Sequence, residues 1–197
     1  MKLLLARHGQ SVWQVEGESA GKDAPLTPLG ETQAHYLGQY LAQNGRPDAI
    51  YASPLQRARR TAEIVASYLN MTPEVEPGLC EFEDWENGWA PAPVSMWDMS
   101  PAAALSPGYG RFRAQVLGAM QRIVAAYLDG ERTVLVVAHG GSIGTILRIA
   151  LGSDTLGVYP FNAALNQLEW THSRWRDTWS LFVVNQMDYL PPELRTG

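Results

Sequence analysis

A chain of 197 residues that is 46% hydrophobic and 18% charged carries enough apolar content for one substantial core and is neither disordered nor fibrous in composition. Its net charge of −5 argues against a nucleic-acid partner, which would need a basic face for the phosphate backbone, and no apolar run is long enough to span a bilayer, so no membrane partner is expected. A single cysteine, Cys80, rules out an internal disulfide and suits a reducing compartment.

In chain order, the apolar run before Arg7 predicts a strand over Lys2–Ala6, followed by a loop through Pro25 and a helix from about Leu29 to Asn44. A strand at Ala49–Ala52, a helix from Leu55 to about Leu69 and a short strand near Pro73–Glu76 come next. A long irregular stretch then leads to a helix from about Tyr109 to Leu128, a β-branched strand at Thr133–Ala138 and an apolar helix from Ile143 to Leu151, for which Ser142 is a candidate cap. Ala164–Thr171 and Thr178–Val184 flank a polar turn and read as an antiparallel hairpin. Pro191-Pro192 marks a tail, and Met187–Gly197 can pack on its own domain or on a second subunit, which keeps a homodimer open. The alternation of strands and helices predicts an α/β fold: a three-layer α/β/α sandwich, one domain over 1–197, with a mostly parallel sheet and helices on both faces. A lid-like insertion at about 83–108 follows Glu81 directly.

The chemistry gathers where strands stop. The first ends in Arg7-His8-Gly9-Gln10-Ser11 and the Thr133 strand ends in His139-Gly140-Gly141-Ser142. Open α/β sheets place ligands at the carboxyl ends of their strands. An arginine offers a charged fork for phosphate oxygens and an imidazole can attack phosphorus, while glycines such as Gly140 let backbone amides approach an anion at a helix start. Between these segments lie Ser53-Pro54-Leu55-Gln56-Arg57-Ala58 and the acid Glu81. The cleavable leader of an exported protein would have to remove the strand that carries Arg7 and His8, so a cytoplasmic location is expected. Gln10 and Ser11 can donate to phosphate or cap the turn that follows.

With Leu26-Thr27-Pro28-Leu29-Gly30, Gln33-Ala34 and Thr61-Ala62 added in order and spacing, the chain resembles the histidine phosphatase superfamily, also called phosphoglycerate mutase-like, over nearly its whole length. The resemblance implies a phosphohistidine mechanism without metal or cofactor, with His8 as nucleophile, Arg7, Arg57 and His139 around the phosphoryl group, and Glu81 as proton donor. A carboxylic acid raised by apolar neighbours such as Leu79, Phe82 and Trp85 can protonate the leaving alkoxide and later serve as base for water. Trp85 follows Glu81 more closely than is usual in the family, which leaves Glu83 or Glu86 as alternative donors. Gln14 stands where the family often has an asparagine on the phosphate, and Trp89 and Trp97 of the insertion are candidates to line the pocket.

No lysine or arginine occurs from Thr61 through Gly110. A phosphoglycerate mutase must hold a second anionic group, which calls for further basic residues. The expected function is therefore phosphatase action on a small phosphomonoester, with mutase the alternative and a catalytically idle phospho-ligand-binding module the third reading. His35 and His172 have no partners at ligand spacing, so no metal site is expected.

Overall fold

A computed structural model describes residues 1–82, 105–127, 130–172, 174 and 177–197. One sheet of six strands organises it: β1 (Lys2–Arg7), β2 (Ala49–Ala52), β3 (Glu74–Val75), β4 (Thr133–Ala138), β5 (Leu165–Thr171) and β6 (Thr178–Gln186), in the order β3-β2-β4-β1-β5-β6. The first four run parallel; β5 pairs antiparallel with β1 and β6 antiparallel with β5. The helices are α1 (Val12–Glu16), α2 (Pro28–Asn44), α3 (Gln56–Leu69), α4 (Pro107–Tyr127) and α5 (Gly140–Leu151).

Alternation along the central strands sends side chains to two cores, as the period of two requires. Leu3, Leu5, Val134, Val136 and Ala138 face one core, with Val116 and Ile123 of α4 and Ile143 and Leu147 of α5. Leu4, Ala6, Leu135 and Val137 face the other, with Leu37 and Leu41 of α2 and Ala62 and Val65 of α3. Strands covered on both faces read as continuous apolar runs rather than alternating ones, and each fully buried leucine or valine adds about 1.5–3 kcal/mol relative to exposure. The ends of β1 and β4 are therefore held by strands packed on both faces.

The stretch expected as a loop through Pro25 contains α1, and two further differences from the sequence reading bear on the site. The insertion set at about 83–108 ends earlier, because Pro107 and Gly108 already belong to α4. Proline is favoured at the first helical position, and the Ser106 hydroxyl accepts from the Tyr109 amide at 3.2 Å. Glu83, Trp85, Glu86, Trp89 and Trp97 lie outside the described residues. α5 starts at Gly140, so its N-cap is His139 and not Ser142. Ser142 instead donates from its hydroxyl to the carbonyls of Leu79 and Cys80, at 3.2 and 3.1 Å, tying the segment before Glu81 to the helix. The C-terminal tail packs on its own domain: Leu190 is buried and Gln33 donates to the Leu194 carbonyl.

Candidate active site

β1 and β4 are neighbours with Arg7 opposite Ala138, so the next residue of each strand, His8 and His139, emerge side by side. The His8 amide donates to the Ala138 carbonyl at 3.0 Å, and the Ser53 amide, following β2, donates to the Val137 carbonyl at 3.0 Å. Three adjacent strand ends thus deliver His8, His139 and Ser53 to one place. The two imidazole rings lie 5.1 Å apart at 61°.

Two hydrogen bonds agree on the state of His8. Its Nδ1 lies 2.6 Å from the Gly9 carbonyl, an acceptor only, so Nδ1 carries the proton. Its Nε2 accepts from Arg57 Nε at 3.2 Å, which requires a lone pair there. Burial, then the charges of Arg57 and Arg7, hold the imidazole well below the usual histidine range, against the pull of the Gly9 carbonyl. The ring is therefore neutral at neutral pH and presents one nucleophilic nitrogen. His139 is 0% exposed and is kept neutral by burial first, then by His8, Arg57 and Arg7. Its Nε2 pairs with the Ser53 hydroxyl at 2.7 Å.

The cations enclose this pair. Arg57 donates from Nη1 to the Lys22 carbonyl at 2.8 Å. Arg7 donates from Nη1 to the Pro160 carbonyl at 2.7 Å, and its guanidinium carbon stands 5.7 Å from the centre of the Tyr159 ring. Gly140 adjoins it, since a β-carbon there would sit 3.7 Å from Arg7 Nε. Among the described residues, Arg7 Nε and His139 Nδ1 are buried polar atoms with no hydrogen-bond partner. An unpaired buried polar atom costs about 1–3 kcal/mol, and a tetrahedral anion with several acceptor oxygens suits a site built this way.

Glu81 closes the group. Its carboxylate accepts from the Phe82 amide at 2.8 Å and from the Gly141 amide at 3.0 Å. Burial pushes the carboxyl above its ordinary value, against the two amides and the Arg57 and Arg7 charges. A carboxyl raised in this way keeps its proton to higher pH than a free one and can give it up beside a developing alkoxide. Among the described residues, no group of three or more His, Cys, Asp or Glu could hold a metal ion, and no helix is long and apolar enough to cross a membrane.

Gln10 lies in the loop after His8, Ser11 caps α1 and Gln14 lies within it, and all three bond to the framework around them. Gln10 Oε1 accepts from the Thr27 hydroxyl at 2.9 Å. Gln14 Oε1 accepts from the Ser11 amide at 3.1 Å and from Asn162 at 3.0 Å, and its Nε2 donates to Asn162 Oδ1 at 3.0 Å. Arg59 and Arg60 remain outside the cluster, paired with Glu63 and Glu31 on the surface. Sequence reasoning quoted Ser53, Gln33 and Thr61 only as parts of motifs, with no role, and passed over Asn162. Ser53 had a signal, since it follows a strand as both histidines do. Asn162 had none, lying 154 residues from the His8 carbonyl that it holds at 3.0 Å.

A doubly wound sheet whose adjacent strand ends present two neutral imidazoles, two guanidiniums and a raised carboxyl has the makings of a phosphoryl-handling enzyme. The chain belongs to the histidine phosphatase superfamily (branch 1), whose model matches residues 3–180. It is 32% identical over 179 residues to the uncharacterized phosphatase PhoE of Bacillus subtilis, covering 87% of this chain and 90% of that one. It is 26% identical to a probable phosphoglycerate mutase, GpmB, of Yersinia enterocolitica, covering 89% and 87%. Its fold is similar to that of a mycobacterial glucosyl-3-phosphoglycerate phosphatase, with a TM-score of 0.74, 24% identity and coverage of 94% and 99%.

Proposed function

We propose that the protein is a metal-independent phosphomonoester hydrolase that works through a phosphohistidine at His8 on a small phosphorylated metabolite. The lone pair of His8 Nε2 attacks phosphorus, the ester P–O bond breaks, and the Glu81 carboxylic acid protonates the departing alkoxide. Water then loses a proton to the Glu81 carboxylate as it attacks the phosphohistidine; the P–N bond breaks and neutral His8 returns. Arg7, Arg57 and His139 stabilise the negative charge on the transferring oxygens, fixed in place before the reaction begins. The observation that carries this reading is the state of His8, neutral, with Nδ1 pinned to the Gly9 carbonyl and Nε2 beside Arg57.

The stretch without lysine or arginine from Thr61 through Gly110 supports hydrolysis over mutase chemistry, because a second anionic group on the substrate would need a partner. The lone cysteine suits a reducing compartment, in keeping with the cytoplasm as the site of action. The test is phosphate release from a panel of phosphomonoesters, including 3-phosphoglycerate and phosphoserine, in excess chelator with His8→Ala as control. Release that resists chelator and requires His8 is expected, fastest on esters with neutral leaving groups. Conversion of 3-phosphoglycerate to its 2-isomer without phosphate release would assign a mutase instead.

A further inference from the structure

The loop that carries His8 is held from behind by two buried side-chain amides. Asn162 donates from Nδ2 to the His8 carbonyl at 3.0 Å, and Gln33 accepts the Gln10 amide on Oε1 at 2.8 Å. Both amides are 0% exposed. Their other ends meet at one hydroxyl. Thr196 Oγ1 lies 3.0 Å from Asn162 Oδ1 and 2.9 Å from Gln33 Nε2. Oδ1 can only accept and Nε2 can only donate, so the single hydroxyl proton must go to Asn162 and the oxygen must receive Gln33. The Thr196 carbonyl also accepts from the backbone N–H of Asn162 at 2.9 Å.

We propose that Thr196, in the C-terminal tail, is a positioning residue that ties both amides together and through them fixes the nucleophile loop. The inference rests on the reading of His8 as nucleophile and adds a residue that touches neither substrate nor the reacting atoms. The one-directional partners orient the amides, the Gln10 N–H and the Leu194 carbonyl for Gln33 and the His8 carbonyl for Asn162, while the hydroxyl, donor and acceptor at once, holds the two in place. Without the hydroxyl, Gln33 keeps only the Leu194 carbonyl, at 2.6 Å, on its Nε2 side, and Asn162 Oδ1 keeps only Gln14. Each amide, released from the hydroxyl, is free to shift and to carry the Gln10 amide or the His8 carbonyl with it. Displacing a nucleophile by about 1 Å can cost up to about 100-fold in rate.

The experiment compares the unaltered protein with Thr196→Val, Thr196→Ser and His8→Ala, using kcat and KM on a phosphomonoester and hydrogen exchange at the Gln10 amide. Thr196→Val keeps the volume and removes the hydroxyl. It is expected to lower kcat about 10-fold with KM within about twofold, and to speed Gln10 exchange about 10-fold while amides of β4 keep their protection. Thr196→Ser restores both. Thr196→Ala supplies the same comparison if the valine protein does not fold. Gln10 protected as before in Thr196→Val, or a serine variant as impaired as the valine one, overturns the proposal. The exchange measurement keeps the two readings separable: an unaltered protein without His8-dependent turnover would remove the hydrolase reading, while Gln10 exchange still decides the role of Thr196.

Discussion

The reactivity assigned to His8 depends on which ring nitrogen holds the proton, and two bonds from opposite sides agree on the answer. Glu81 has the complementary task and sits against an α5 amide, where burial outweighs the local donors. Its replacement by glutamine removes both the acid and the base. Glu81→Gln is expected to slow turnover of an alkyl phosphate by about 100- to 10,000-fold. p-Nitrophenyl phosphate, whose leaving group needs no proton, should still give a burst of nitrophenol in rapid mixing, followed by slow turnover as the phosphohistidine waits for a base. Equal loss of the first step on both substrates would remove Glu81 from the acid role.

At the scale of elements, the site is a matter of where strands stop and how closely the next loop approaches. A β-carbon on Gly30 would overlap the Gln10 carbonyl, and one on Gly9 would overlap the Gly30 carbonyl, so the first turn of α2 can lie against the His8 loop only with glycine at both positions. Gly30→Ala is expected to destabilise the fold by about 1–3 kcal/mol, read from the urea midpoint, and to reduce turnover in the protein that remains folded; an unchanged midpoint would contradict the close packing. The positions of Arg7, His8, Arg57 and His139 were legible in sequence because each ends or follows a strand or lies in the first turn of a helix. The start of α5 was misread for a physical reason: serine is a strong local capping signal, but here the Gly141 amide is taken by Glu81, which lies 60 residues away. Asn162 escaped notice, and Gln33 was seen only as part of a motif without a role, because their partners are set by tertiary packing, which leaves no local pattern.

Over the whole molecule, the cost of the site appears as pH dependence. His8 and His139 are neutral in the fold and titrate near 6.5 once unfolded. Below that pH the unfolded chain binds protons that the folded chain refuses, so stability falls as pH drops through about 6.5, by up to about 1.4 kcal/mol per pH unit for each histidine. Glu81 has the opposite sign, since its raised carboxyl binds a proton in the fold at pH values where the unfolded carboxyl has lost it. Urea midpoints at pH 8 and pH 5.5 should therefore show an acid loss that steepens in Glu81→Gln and flattens in His8→Ala. A midpoint that rises on acidification of the Glu81→Gln protein would contradict the neutral-histidine assignment.

The central claim is covalent, and the most direct measurement is acid-labile phosphate on the protein, trapped by rapid quench with p-nitrophenyl phosphate in excess chelator. Labile phosphate is predicted to map to His8, to persist in Glu81→Gln and to be absent from His8→Ala. Turnover that leaves no labile phosphate in either the unaltered or the Glu81→Gln protein, or label that survives in His8→Ala, would contradict the account.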